Sequence, residues 1–103
     1  MPRALVIDDD DAIREMVALT LEASGFEVAR ARGARDARRE LETARPDVIL
    51  CDIYMPGGDG LSVLREVQAR QAPPPVILMT ARGSVETAAA AEETGAFDYL
   101  AKP

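Results

Sequence analysis

Three acidic side chains come directly after two apolar segments of the chain. Asp8 and Asp9 follow an apolar run that ends at Ile7, and Asp52 follows the run Val48–Cys51. Close carboxylates repel one another and become stable together when a hard cation lies among them. Oxygen ligands of this kind suit Mg²⁺. If the two runs form neighbouring strands, the pattern predicts a magnesium site made by three carboxylates.

A hydroxyl group and an ammonium group follow two further apolar runs. Thr80 comes after Val76–Met79, and Lys102 comes shortly after Phe97–Leu100. In a parallel sheet the residues after each strand gather along one edge, where ligands of open α/β sheets bind. There Asp52 can attack phosphorus to give an acyl phosphate, while Thr80 and Lys102 hold the oxygens of the transferred group. The set predicts a site for a metal ion and a phosphoryl group.

Short apolar runs alternate with segments of helical spacing along the chain. The runs predicted to be buried strands are Leu5–Ile7, Phe26–Ala29, Val48–Cys51, Val76–Met79 and Phe97–Leu100. The predicted helices are Ala12–Ser24, Ala34–Ala44, Leu61 to about Gln71, and Val85–Thr94. Strict alternation of strand and helix indicates βαβ units, and therefore an α/β fold with a parallel sheet and right-handed crossovers.

The first predicted helix has an acidic start and an apolar stripe. Asp10 or Asp11 can cap its first turn, and Gly25 follows its end. The side chains predicted to share the inward stripe are Ile13, Met16, Val17 and Leu21. We expect the helix to lie on the sheet through this stripe.

The composition limits the classes of protein and site. With 103 residues, 48% of them hydrophobic, the chain can form one modest core and is predicted to be a single domain. A net charge of -6 argues against direct nucleic-acid contact and against binding to an anionic membrane. The absence of histidine and the single cysteine exclude the usual zinc sites and an internal disulfide. No apolar run approaches roughly 20 residues and no secretory signal is present, so we expect a cytoplasmic protein.

Four segments carry a more specific pattern than any of these features alone. They are Val6–Asp10, Asp52–Gly57 with Asp59–Gly60, Thr80–Ala81, and Gly95–Pro103. Together they resemble the receiver domains of response regulators in two-component signalling, and the last segment is similar to receivers of nitrogen-regulator type. The resemblance covers nearly the whole chain. It implies a doubly wound, five-stranded parallel sheet of order 2-1-3-4-5 in a flavodoxin-like three-layer sandwich.

The resemblance implies a role for each acidic residue of the predicted site. Asp52 matches the phosphoacceptor of the family. Asp8 and Asp9 match its acidic pair, with Asp9 favoured as the direct Mg²⁺ ligand. The backbone carbonyl of Tyr54 matches a further metal ligand, two residues past the phosphoacceptor.

Residues near the last two predicted strands match the switch of the family. Thr80 and Tyr99 correspond to the hydroxyl and the aromatic side chain that change position together on activation. Lys102 corresponds to the residue that pairs with the phosphoryl group, and its bond to Pro103 is expected to be cis. The implied function is a phosphoacceptor switch rather than a turnover enzyme. The implied partners are a sensor histidine kinase and an output domain or second copy of the chain, and the implied output is transcriptional.

Two other functions stay open at this stage. A metal-dependent phosphohydrolase of the dehalogenase type also uses a strand-end aspartate, but it needs a second acid two residues later, where this chain has Tyr54. A degenerate receiver that acts only as a binding module would lack Asp52, Lys102 or one of the acidic pair, and all of them are present.

The resemblance also predicts that residues 1–103 are a receiver domain truncated before its fifth helix, because the family continues past the Lys-Pro pair. The first and fifth helices would share one face of the sheet. With the fifth helix missing, either Val76 and Leu78 or Ile77 and Met79 are expected to meet water.

Overall fold

The structure, a computed structural model, describes residues 1–52, 60–80 and 98–101. Its strands are β1 (Arg3–Ile7), β2 (Glu27–Ala31), β3 (Val48–Asp52), β4 (Val76–Thr80) and β5 (Asp98–Ala101), and the helices in these ranges are α1 (Asp11–Ala23), α2 (Ala34–Ala44) and α3 (Gly60–Gln68). The strands are parallel and lie in the order β2-β1-β3-β4-β5. The predicted α/β class, sheet and strand order are confirmed. The helix predicted over Val85–Thr94 lies outside the described residues.

The edge strand β2 extends past its predicted end at Ala29. Arg30 and Ala31 continue the pairing with β1, so a charged residue does not end the strand. The Arg30 guanidinium reaches α1, where Nη2 donates hydrogen bonds to the carboxylates of Glu15 and Glu22 at 2.9 and 3.0 Å. At an edge strand a charged side chain can leave the sheet in this way and keep its head group in water.

The helix α3 ends at Gln68, earlier than the predicted end near Gln71. Pro73 disfavours helical geometry at the residue before it, and Ala72 has a positive φ of 51°. The proline run thus accounts for the chain having left helical geometry by Ala72. None of the helices in the described ranges combines the length and the apolar character that crossing a membrane requires.

The helix α1 begins at the predicted acidic cap, and Val17 and Leu21 of its predicted stripe pack on the sheet, but Met16 does not. The Asp10 carboxylate accepts a hydrogen bond from the Ile13 N–H at 3.0 Å, which caps the helix. The buried residues of α1 are Arg14 and Ala18, whereas Met16 is 43% exposed. The inward position predicted for Met16 is wrong, because a residue two positions from a buried one is turned by about 200° around the helix.

Two apolar layers lie on the two faces of the sheet. In the larger layer, towards α2 and α3, the largest fully buried side chains are Leu5, Ile7, Ile49, Leu64 and Leu78. The layer on the α1 side has Val6, Leu50 and Met79 at its buried centre, surrounded by the partly buried Val17, Leu21, Val28, Val48 and Ile77. The sheet is therefore covered from both sides, as in a doubly wound fold.

Strand parity places Ile77 and Met79 on the α1 face. Ile77 is half-buried, but Met79 is only 4% exposed because it packs against Val6 and Leu50 at the centre of the sheet. The expectation that this pair would meet water is therefore wrong for Met79.

Candidate functional site

The strand register brings the acidic residues together at the carboxyl edge of the sheet. Ile7 of β1 is the partner of Cys51 in β3, so Asp8 and Asp52 follow them side by side. Asp8 and Asp52 are buried, with exposures of 0% and 3%, and Asp9 is exposed. One carboxylate oxygen from each of the three aspartates lies within 4.8 Å of the others. The carboxylates predicted to form a metal site are thus adjacent in space.

Hydrogen bonds fix the turn from β1 into α1. The Asp8 N–H donates to the carbonyl of Ala31 in β2 at 3.1 Å. The Asp8 carboxylate accepts a hydrogen bond from the Asp10 N–H through Oδ1 at 2.9 Å. The Asp8 carbonyl accepts one from Nη1 of Arg14 at 3.0 Å. These bonds hold the backbone of Asp8 on several sides.

Arg14 is a buried cation beside this turn, and the sequence analysis did not identify it. Its Nη2 donates a hydrogen bond to Oδ1 of Asp11 at 2.5 Å, and the Arg14 side chain is 10% exposed. This hydrogen bond, followed by the charge of Arg14, lowers the pKa of the exposed Asp11 carboxyl below its ordinary value. The spacing in the sequence indicates this location, because Arg14 lies four residues before Ala18 and three after Asp11, on the inward face of α1.

The donor set fits a hard divalent cation. Mg²⁺ prefers oxygen ligands at about 2.1 Å in octahedral geometry, which separates them by about 3 to 4 Å. Three carboxylate oxygens within 4.8 Å of one another need only small movements to reach such positions. The chain has no histidine, and its one thiol, Cys51, is buried and donates to the carbonyl of Asp52 at 3.4 Å. The site therefore offers hard oxygen ligands and suits Mg²⁺ better than zinc.

The other predicted site residues lie on β4 and β5 or beyond the described ranges. Thr80 is the last residue of β4, one step past the partner of Asp52, and its backbone is therefore at the same edge. Tyr99 lies within β5, next to β4. Tyr54, Lys102 and Pro103 lie outside the described residues, so the carbonyl ligand, the ammonium group and the cis peptide bond stay predictions.

Comparison with known proteins gives a consistent set of relatives. The family model described as response regulator receiver domain matches residues 4–103. The regulatory protein AtoC of Escherichia coli is 44% identical over 101 residues, which are 98% of this chain and 22% of AtoC. The DNA-binding transcriptional regulator NtrC of Klebsiella pneumoniae is 40% identical over 100 residues, 97% of this chain and 21% of NtrC. The chain thus spans about a fifth of the length of these relatives.

Solved structures agree with this set. A putative response regulator from Chloroflexus aurantiacus superposes with a TM-score of 0.93 at 37% identity, over 100% of this chain and 87% of that one. The response regulator protein TrrA from Thermotoga maritima, solved in complex with Mg(2+)-BeF, gives a TM-score of 0.87 at 30% identity, over 100% of this chain and 88% of TrrA.

Proposed function

Because the chain belongs to the response-regulator receiver domain family, we propose that it accepts a phosphoryl group on Asp52 from a histidine kinase. The observation that carries this proposal is the meeting of three carboxylate oxygens within 4.8 Å at the ends of adjacent strands. Asp52 is the member of that group on β3, and it is buried at 3% exposure. A carboxylate held there can attack phosphorus in line while water has limited access to it.

The acidic residues share the work of binding and transfer. Asp8, Asp9, Asp52 and the carbonyl of Tyr54 would hold Mg²⁺, and the complex of TrrA with Mg(2+)-BeF supports this choice. The cation would neutralise negative charge on the oxygens of the phosphoryl group and of the acids around it. An Asp52 carboxylate oxygen forms the new bond to phosphorus as the bond to the leaving group of the donor breaks, giving an aspartyl phosphate.

Thr80 and Tyr99 on the neighbouring strands, together with Lys102, would bind the product or change with it. Thr80 and Lys102 would hold phosphoryl oxygens, because a hydroxyl and an ammonium group are suitable donors for that charge. Thr80 and Tyr99 lie on adjacent strands, and we propose that their side chains move together on phosphorylation. The site would thereby transmit the state of Asp52 to the β4 and β5 side of the domain.

The relatives support a proposal for the output of the switch. NtrC is a DNA-binding transcriptional regulator about five times as long as the matched segment, so we propose a transcriptional output in which residues 1–103 act as one receiver domain. The domain would act on an output domain or on a second copy of itself, without touching nucleic acid, since its net charge is -6. A cytoplasmic location and a signalling role without substrate turnover belong to the same proposal.

The test uses a small phosphodonor. We expect intact mass to show one added phosphoryl group when the protein is incubated with acetyl phosphate and Mg²⁺. The variant Asp52→Asn and a sample with chelated metal should remain unmodified. Asp47→Asn is the matched control, because Asp47 is an exposed acid at the opposite end of β3 and should leave phosphorylation unchanged. Equal modification of Asp52→Asn, or no effect of chelation, would contradict the proposal.

A further inference from the structure

Three charged side chains are buried within the part of the chain that the structure describes: Asp8, Arg14 and Asp52. Two of them belong to the carboxylate site, and the third lies one helical turn into α1. A guanidinium group is costly to remove from water, so a buried arginine requires partners that occupy its donors. The partners of Arg14 are both in the turn that carries the acidic pair.

The guanidinium of Arg14 connects the end of β1 to the first turn of α1. Nη1 donates to the Asp8 carbonyl at 3.0 Å, and Nη2 donates to Oδ1 of Asp11 at 2.5 Å. A guanidinium is planar and presents its N–H groups in a fixed fork, so the two acceptors are held at a set distance and angle. An ammonium group on a flexible chain lacks this planar fork and fixes the relative position of two acceptors less well.

The Asp8 carbonyl is the informative contact. It belongs to the planar peptide that joins Asp8 to Asp9, so fixing this oxygen fixes the plane of that peptide. The plane in turn sets the position of the Asp9 Cα and the direction in which its side chain leaves the backbone. Because Asp9 is exposed, packing constrains its side chain little, and the backbone must supply its orientation.

We propose that Arg14 is a positioning residue for the Mg²⁺ site, which orients the carboxylates of Asp8 and Asp9 through the Asp8 carbonyl. The inference rests on the proposed function, since it presupposes that these acids bind the cation. Arg14 also carries a positive charge near the site, and charge alone would weaken Mg²⁺ binding. The two roles therefore predict opposite effects when Arg14 is replaced.

The test is calorimetric titration with Mg²⁺ alone, without phosphodonor, at a temperature where every variant is folded. Arg14→Lys keeps the charge and loses the fork, and Arg14→Met loses both. We expect each to raise the Kd for Mg²⁺ on the order of ten-fold, the usual scale for residues that orient metal ligands. Asp11→Asn, which keeps the contact of Arg14 with the Asp8 carbonyl, should change the Kd less.

The matched control is Ala18→Gly. Ala18 is the other buried residue of α1, one turn further from the site, so its replacement weakens the helix without touching the turn. Unfolding by urea without Mg²⁺ measures the loss of stability in each variant. If the role of Arg14 is only structural, its replacement should lower stability and leave the Kd for Mg²⁺ at the parent value, as Ala18→Gly should.

The results distinguish a failure of the positioning role of Arg14 from a failure of the proposed function. If the parent binds Mg²⁺ and both Arg14 variants bind it equally or more tightly, the positioning role is wrong and the proposed function stands. If the parent itself binds no Mg²⁺, the proposed function and this inference fail together. Raised Kd values in both Arg14 variants, with Ala18→Gly unchanged, support the positioning role.

Discussion

The charged side chains at the two ends of the sheet are arranged in opposite ways, although the same strands form both ends. At the amino end the Arg3 N–H donates to Oδ2 of Asp47 at 2.8 Å, and the Arg3 side chain contacts the Ala44 carbonyl at 3.2 Å and Glu27 at 3.5 Å. At the carboxyl end three aspartates bring oxygens of like charge within 4.8 Å. Opposite charges meet at the amino end, whereas three carboxylates are collected at the carboxyl end, with the Arg14–Asp11 ion pair beside them.

This difference separates residues that stabilise the fold from residues that serve its chemistry. The amino-end contacts favour the folded chain without any ligand. The carboxyl-end acids bring like charges together in the folded chain, and a bound cation would offset that repulsion. A site of this kind is expected to lower stability in the absence of its ligand.

The largest effect should come from removing one acid of the carboxyl end. Asp9→Asn should slow phosphorylation by acetyl phosphate at least about ten-fold, because a ligand of the cation is lost. In chelator the same variant should be more stable than the parent by about 1 kcal/mol, since a repulsive charge is gone. Time courses of intact mass and urea unfolding measure the two effects.

The same two proteins are then compared with Mg²⁺ in place of chelator. At about 100 times its Kd, the cation should stabilise the parent by about 2.7 kcal/mol and Asp9→Asn by much less. If Asp9→Asn is less stable than the parent in chelator, repulsion among the three aspartates does not lower the stability of the folded chain.

The second effect concerns the amino end. Asp47→Ala removes the acceptor of the Arg3 N–H and should lower stability by about 1 kcal/mol, the usual value of such a hydrogen bond. The stabilisation by Mg²⁺ should stay at the parent value, because Asp47 lies at the opposite end of the strands. If Mg²⁺ stabilises this variant less than the parent, the two ends of the sheet are coupled and do not act independently.

The sequence was sufficient for the architecture and for the gathering of the acids. Alternation of strands and helices predicts a parallel sheet whose strand ends share an edge, and the strand order 2-1-3-4-5 that the family resemblance implies makes Asp8 and Asp52 neighbours there. The structure brings them together with Asp9. The roles assigned to Thr80, Tyr99 and the residues outside the described ranges stay predictions.

The errors lie where polar contacts override an apolar pattern. Hydrophobicity placed Met16 inward on α1 together with Val17 and Leu21, whereas the inward face also takes Arg14, which reaches the Asp8 carbonyl, and leaves Met16 exposed. The same limitation ended β2 at Ala29, because the ion pairs that Arg30 forms with α1 cannot be deduced from an apolar run. Periodicity locates elements, but specific hydrogen bonds fix their rotation and their ends.

A third, smaller effect depends on pH. The hydrogen bond and charge of Arg14 lower the pKa of Asp11 below its ordinary value of 3.8, so the charged carboxylate favours the folded state. Its contribution is complete above the unfolded pKa and is lost as the pH falls through the folded pKa. The stability difference between the parent and Asp11→Asn should therefore be constant above about pH 5 and should shrink in more acidic solution.

Urea unfolding of both proteins from pH 6 to pH 2.5 measures this difference. The effect should be smaller than that of Asp47→Ala, because the Asp11 side chain is 77% exposed and solvent screens its charge. A difference that does not change with pH would mean that Arg14 does not act on the charged form of Asp11.

The smallest effect should come from the exposed ion pair at the amino end. Nε of Arg3 lies 3.5 Å from Oε2 of Glu27, and the two side chains are 51% and 65% exposed. Exposed pairs contribute about 0 to 1 kcal/mol and are screened by salt, so Glu27→Gln should lower stability by no more than about 0.5 kcal/mol. The difference should vanish at about 1 M salt, where the Debye length is about 3 Å, and the Kd for Mg²⁺ should equal that of the parent. Unfolding by urea at low and high salt provides the measurement. A loss of stability as large as that of Asp47→Ala would mean that the Arg3–Glu27 side-chain pair stabilises the amino end of the sheet as much as the hydrogen bond from the Arg3 N–H to Asp47 does.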